Sequence, residues 1–207
     1  MAIGSPSVNT DTYAENAVSG WDAADEVINA SKSDEYTKEF KFSDEPTLVK
    51  FLGDGPFKVY AQHWIERQGK KSFVCLRDSE TGCPLCDVLG DEPRNKFAFS
   101  VVVFKDGETP ELQMLIAPPS LFRLLKNAHA DQRKGPLNKH YWALSRTGSG
   151  PKTTYIVDMV RERDLADEWA LDPVNAQAAI DGYEPLTPEV VYVGSYESLM
   201  DIAKETA

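Results

Sequence analysis

A chain of 207 residues, 42% of them hydrophobic, can bury a sizeable core, and no apolar run in it reaches the length that a bilayer-spanning helix needs. The opening residues MAIGSPSVNTDT lack the charged and apolar regions of a secretory signal, and three cysteines cannot all pair, so a reducing cytoplasm is expected. The net charge of −11 argues against a nucleic-acid binder only until it is divided: residues 1–35 carry −6, residues 164–207 carry −9 and residues 36–163 carry +4. Either short segments vary by chance, or a polyanion-binding centre lies between two acidic flanks that keep it soluble.

In chain order, residues 1–20 are small and polar and read as disordered. WDAADEVINASK (21–32) suits a short helix with Trp21, Ala24, Val27 and Ile28 on one side. From Tyr36 the pattern turns to strands. YTKEFKF alternates, SDEP turns the chain, and TLVKFL follows, closed by GDGP. FKVYAQHWIER (57–67) alternates over its whole length, with Val59, Ala61, His63 and Ile65 on one face and Lys58, Tyr60, Gln62 and Trp64 on the other. QGKK reads as a hairpin loop and SFVCL as the returning strand.

KFAFSVVVF (96–104) is the strongest strand in the chain, rich in β-branched and aromatic residues, and KDGETPE turns it back into LQMLIA. PPSLFRLLKNAHA (118–130) predicts a helix opened by proline, with Leu121, Leu124, Leu125 and Ala128 as its buried stripe. KHYWALSR and TTYIVDMVRER are two further strands around the TGSGPK turn. DLADEWAL, a loop rich in Asp and Pro, and a last helix at SYESLMDIAKE complete the chain. The expected fold is mainly β with a few helices, a small antiparallel barrel in preference to a parallel α/β sheet. Its parts are an acidic, partly disordered segment (1–35), a core (36–163) with a metal-binding subdomain at about 57–90, and an acidic segment with short helices (164–207).

ETGCPLCD (80–87) places Cys83 and Cys86 two residues apart, with Cys75 seven intervening residues upstream and His63 eleven before that. Three thiolates and one imidazole form a closed tetrahedral set for structural Zn2+. Glycine permits the tight turn and proline stiffens it, so that two sulfurs chelate from one knuckle. The alternatives are a redox dithiol, which leaves Cys75 without a role, and Cys75 or His63 as ordinary buried residues. His140 competes with His63 as the fourth ligand, and His129 less so.

No Walker loop, GxGxxG, GxSxG or HExxH occurs, so no enzyme activity is expected. The centre does interleave rings and cations: Lys58, Tyr60 and Trp64; Arg94, Lys96 and Phe97; Lys139, Tyr141, Trp142 and Arg146; then Lys152. Rings stack unpaired bases at about 1–3 kcal/mol each, while Lys and Arg follow phosphates. Alternating strands also bury rings and expose lysines as a matter of course, so the pattern carries weight only as an ensemble.

HWIER, the C…CPLC array and KFAFSVVVFKD together resemble the zinc-containing single-stranded-DNA-binding, or helix-destabilising, proteins of tailed phages, including the shorter relatives in phages of actinobacteria. The resemblance covers roughly residues 36–163. It implies an OB-fold-like barrel with an attached zinc-binding hairpin and knuckle, with His63, Cys75, Cys83 and Cys86 as ligands and Phe97 as a base-stacking residue. It also implies a protein that coats single-stranded DNA in phage DNA replication, recombination and repair, in the cytoplasm of an infected bacterial host. The acidic C-terminal segment resembles the family's tail, which competes with DNA and recruits replication or recombination proteins. The chain departs from the family in its acidic N-terminus, its shorter ligand spacings and its shorter length. Two other functions fit the same residues: a zinc-stabilised adaptor that binds proteins of the replication machinery, and an RNA-binding regulator.

Overall fold

The computed structural model describes residues 37–207. The disordered stretch expected at 1–20 and the helix at 21–32 lie outside the described residues. Seven strands appear in chain order: β1 (Thr47–Leu52), β2 (Lys58–Trp64), β3 (Ser72–Val74), β4 (Arg94–Phe104), β5 (Glu111–Ala117), β6 (Tyr141–Thr147) and β7 (Thr154–Val160). Five α-helices accompany them: α1 (Pro84–Asp87), α2 (Pro119–Ala130), α3 (Leu165–Trp169), α4 (Pro173–Asp181) and α5 (Tyr196–Thr206).

β4 organises the sheet. Its first half pairs with β2, from Gln62 opposite Arg94 to Lys58 opposite Ala98, and its second half pairs with β1, from Leu52 opposite Ser100 to Leu48 opposite Phe104. β5 runs along its other edge. The path through the antiparallel sheet is β3-β2-β4-β1-β6-β7. Every residue from Ala98 to Phe104 is buried, which explains why this strand reads as a continuous apolar run: it is covered on both faces.

On one face Phe99, Val101 and Val103 of β4 pack with Val49, Phe51, Trp142 and Leu144 beneath Leu121 and Leu125 of α2. Each such side chain contributes on the order of 1.5–3 kcal/mol by leaving water. Proline opens α2 as the sequence suggested, but its buried stripe is narrower than expected, for Leu124 stands 40% exposed. On the other face Leu48, Val102, Phe104 and Tyr141 pack against Leu165 of α3 and Ala176 and Ile180 of α4.

Helix α4 corrects the reading of that region as a loop. Asp172 is its N-cap, accepting from the Val174 amide at 2.8 Å, and Pro173 occupies the first turn. Asp-Pro, taken for loop chemistry, is helix-start chemistry here.

The next stretch crosses the same face as a strap. Tyr183 donates to the Pro110 carbonyl at 2.6 Å, the Leu186 amide donates to Ser100 Oγ at 2.8 Å, and Val191 packs on Tyr60 and Ala98. Helix α5, capped by Ser195, then docks beside α1.

The sheet is open. Among the described residues no ladder joins β7 or β3 to β5, so the closed barrel expected from the strand order is not seen. The strand expected at YTKEFKF contributes one bridge, Glu39 opposite Met114, and further on the Ser43 carbonyl accepts from Arg146 N at 2.9 Å. Asp44 and Glu45 bend the chain before β1, and the extended stretch ends there. No helix among the described residues is long and apolar enough to cross a membrane.

Candidate metal centre

The β2–β3 hairpin and α1 assemble the site. His63 lies near the end of β2 and is fully buried, with its ring on the face opposite Tyr60. Cys75 follows β3 directly, and its amide donates to the Ala61 carbonyl at 2.8 Å, which holds it beside β2. Cys83 caps α1 and Cys86 lies within it. Gly82 precedes them at φ +73, where a side chain would be strained, and a Cβ there would meet Asp87 Oδ2 at 3.2 Å. The amides of Cys86 and Asp87 both reach the Cys83 carbonyl at 3.0 Å, closing the knuckle.

The four donor atoms lie within 4.8 Å of one another. His63 Nε2 is 3.4 Å from Cys83 Sγ and 3.5 Å from Cys86 Sγ, and the sulfurs of Cys75 and Cys86 are 3.6 Å apart. A tetrahedron with Zn–S of about 2.3 Å and Zn–N of about 2.0–2.1 Å has edges of roughly 3.8 Å between sulfurs and roughly 3.6 Å between sulfur and nitrogen. The observed edges fit a single small ion. They do not fit a disulfide, whose sulfurs stand about 2.05 Å apart, and all three cysteines are free. The cluster can therefore hold a metal ion, in a manner compatible with structural zinc, and His63 rather than His140 is the imidazole brought to it.

A carboxylate completes the geometry. Asp91 Oδ2 accepts from His63 Nδ1 at 2.7 Å, which puts the ring proton on Nδ1 and leaves the Nε2 lone pair facing the sulfurs. No local pattern marks this pair, because 28 positions separate the two residues. Backbone amides do similar work for sulfur: Arg77 N donates to Cys75 Sγ at 3.4 Å. Burial is the largest influence on the Cys83 thiol and pushes it up, but the amides of Leu76, Cys86 and Leu85 together with the Cys75 thiol outweigh it, so its pKa is lowered. Burial raises the Cys75 thiol and, with Cys75 and Cys83 adding, pushes Cys86 up to about 12. Ion binding must therefore displace protons, and affinity falls as pH falls.

The corner is also packed. Ile65, Phe73, Cys83 and Leu85 form an apolar cluster with Leu199 and Ala203 of α5, and Arg67 pairs with Glu205 at 3.2 Å. The metal-binding corner and the C-terminal helix thus share one small core.

The side chains expected to contact nucleic acid do not converge on one site. Lys58, Tyr60, Trp64, Arg94 and Lys96 share a face of β2 and β4, as Tyr60 opposite Lys96 and Gln62 opposite Arg94 require. Trp64 is 63% exposed and Arg94 is exposed, whereas Lys96 is half-buried, and burial lowers its pKa. Lys58 Nζ donates to the carbonyls of Pro188 at 2.9 Å and Val191 at 3.4 Å, beneath the strap. Lys139, Arg146 and Lys152 are exposed at the ends of β6 and β7, away from that face.

Several rings are corrections. Trp142 is fully buried with its indole N–H on the Leu137 carbonyl at 2.7 Å, Tyr141 is buried edge-on to Phe104, and Tyr60 lies under Val191. None of the three presents a ring face to a base. Phe97 points to the opposite side of the sheet from Lys96, where it is stacked on Phe122 of α2 at 3.7 Å between centroids. Strand alternation says which side a ring takes but not whether a later segment covers it.

These features define a mainly β protein with an open antiparallel sheet, five helices among the described residues and a Cys3His cluster suited to a metal ion. Comparison with protein-family models, with curated proteins and with solved structures finds no match to the chain.

Proposed function

We propose that this chain is a non-enzymatic, largely sequence-independent binder of single-stranded DNA whose corner is stapled by structural zinc. In this reading it coats strands exposed during phage replication, recombination and repair inside the bacterial host. The observation that carries the reading is the strip along β2 and β4, where exposed Trp64 and Arg94 share a face with Lys58 and Lys96. An indole provides a stacking surface for any base, and neighbouring cations follow the phosphates. The four protein ligands would fill a tetrahedral zinc shell, so the ion would contribute rigidity and bring no open position for chemistry.

The open sheet suits an OB-like barrel left incomplete. Its apolar face is capped by α2, and the stretch 38–43 reaches from the edge of β5, at Met114, towards β6, at Arg146. Competition by the acidic C-terminal segment finds support in the strap. It lies over Lys58 and Tyr60, and Glu189, whose carboxyl is held low by Thr187, its own backbone amide and nearby Lys58, is part of it. A strand of DNA would displace or skirt this strap.

The same strap favours a second reading, an adaptor that binds proteins of the replication machinery, because the β2–β4 face already accepts a peptide segment, the turn at Pro188–Val190 with Val191. Titration with oligo-dT separates the two. The DNA reading expects quenching of tryptophan fluorescence, with affinity falling steeply as salt rises and single strands preferred over duplex. Equal affinity for duplex and single strand would overturn it, and no binding at moderate salt together with capture of a replication protein would favour the adaptor.

A further inference from the structure

The outer edges of the open sheet differ in what covers them. On β5 the backbone is engaged at Met114, whose amide donates to the Lys38 carbonyl at 2.8 Å and whose carbonyl accepts from Phe40 N at 2.9 Å. β3 has three residues, and Tyr192 and Gly194 pass beside Phe73 and Val74. β7 is bare by comparison. All seven of its residues pair with β6, from Thr154 opposite Thr147 to Val160 opposite Tyr141, and among the described residues no backbone bonds its other edge. The N–H and C=O of every second residue along it therefore point outward.

Native edge strands are commonly blunted by proline, a bulge, lysine or short length. β7 carries none of these. Its sequence TYIVDMV has no proline or glycine, its register skips no residue, and its one charge is Asp158. We infer that β7 pairs antiparallel with β7 of a second copy of this chain, joining two sheets across a two-fold axis. The inference is independent of the nucleic-acid reading.

The strand is complementary to itself in one register. Paired residues share a face of the sheet, so the axis must pass through a single residue. Centred on Val157, it pairs all seven: Tyr155 with Met159, Ile156 with Asp158 and Thr154 with Val160. Tyr155, Val157 and Met159 lie on the face packed beneath α2 and are each half-buried. In this register their rows meet and extend that core across the axis. The two Asp158 carboxylates then stand opposite Ile156, on a diagonal of about 7–8 Å, whereas an axis through Asp158 would set them directly against each other. Closure follows as well. With β3 and β5 covered, β7 finds no other edge on a second copy, so pairing stops at a dimer and does not grow into a filament.

Sedimentation velocity of the full-length, metal-loaded chain without DNA tests this. The salt is held at about 0.15 M, where repulsion from the net charge of −11 is screened beyond about 8 Å. A monomer–dimer equilibrium is expected, and alternate β7 amides should exchange more slowly as protein concentration rises. Exposed Ile156 supplies the variants. Ile156→Lys meets Asp158 twice across the axis and should tighten the dimer about three- to tenfold, whereas Ile156→Asp should weaken it by a similar factor. A contact that used Ile156 only as apolar surface would weaken in both, and that result overturns the register and the inference with it. A chain that stays monomeric up to about 1 mM overturns it too, as does a dimer whose β7 amides exchange as fast as in the monomer.

Discussion

The two halves of β4 depend on different chemistry. Its second half lies among β1, β5 and β6 with large apolar side chains on both faces, so many independent contacts hold it. Its first half leads through β2 to a corner whose strand has three residues and whose helix has four, with six buried side chains between them and α5. Elements so short do not persist on local propensity, and six side chains are a small core. The sheet spreads its stability over many contacts, whereas the corner concentrates it in four ligand atoms.

Removing the ion tests this contrast most severely. Structural zinc contributes on the order of 10 kcal/mol to a site of this type. Chelation, or Cys83→Ser, should abolish amide protection across 58–91 and in α5, while β1, the second half of β4 and β6 keep theirs in hydrogen exchange. Protection lost uniformly would mean that sheet and corner do not stand apart. The converse change is Trp142→Ala in the sheet core, which should cost about 3–5 kcal/mol in thermal or denaturant unfolding and leave metal affinity unaltered.

A smaller effect sharpens the corner. Asp91→Asn keeps the shape but weakens the hold on the His63 tautomer, and should lower metal affinity about 10–100-fold by chelator competition with little change in sheet stability. An unchanged affinity would reduce Asp91 to a surface partner. Smallest is the loss of two cations of the strip: exposed Arg94→Ala with half-buried Lys96→Ala should reduce the slope of log affinity for oligo-dT against log salt by about two, roughly one per phosphate contact. An unaltered slope would move the binding surface away from β2 and β4.

The same division governs what could be read from the sequence. The ligand array was legible because cysteine is rare here and Gly-Cys-Pro-Leu-Cys carries its own turn chemistry, with β2 and β3 bringing His63 and Cys75 to it. Asp91 was not, since its meaning arises only when the chain folds back on His63. The strong strand at 96–104 was legible from its residues, yet the fate of its neighbours was not. Tyr60, Tyr141 and Trp142 alternate in strands as stacking residues would, and what hides them is α2 on one face and residues 165–193 on the other. Helix α4 was hidden for a local reason, because Asp172 and Pro173 serve a helix start as readily as a loop.

X-ray absorption at the zinc edge on the purified protein tests the metal centre most directly. One ion per chain should show three sulfur neighbours at about 2.3 Å and one nitrogen at about 2.0 Å. Protein that binds no ion after reconstitution under reducing conditions, or a first shell with fewer than three sulfurs, would contradict the joint grip of His63, Cys75, Cys83 and Cys86 on a single metal.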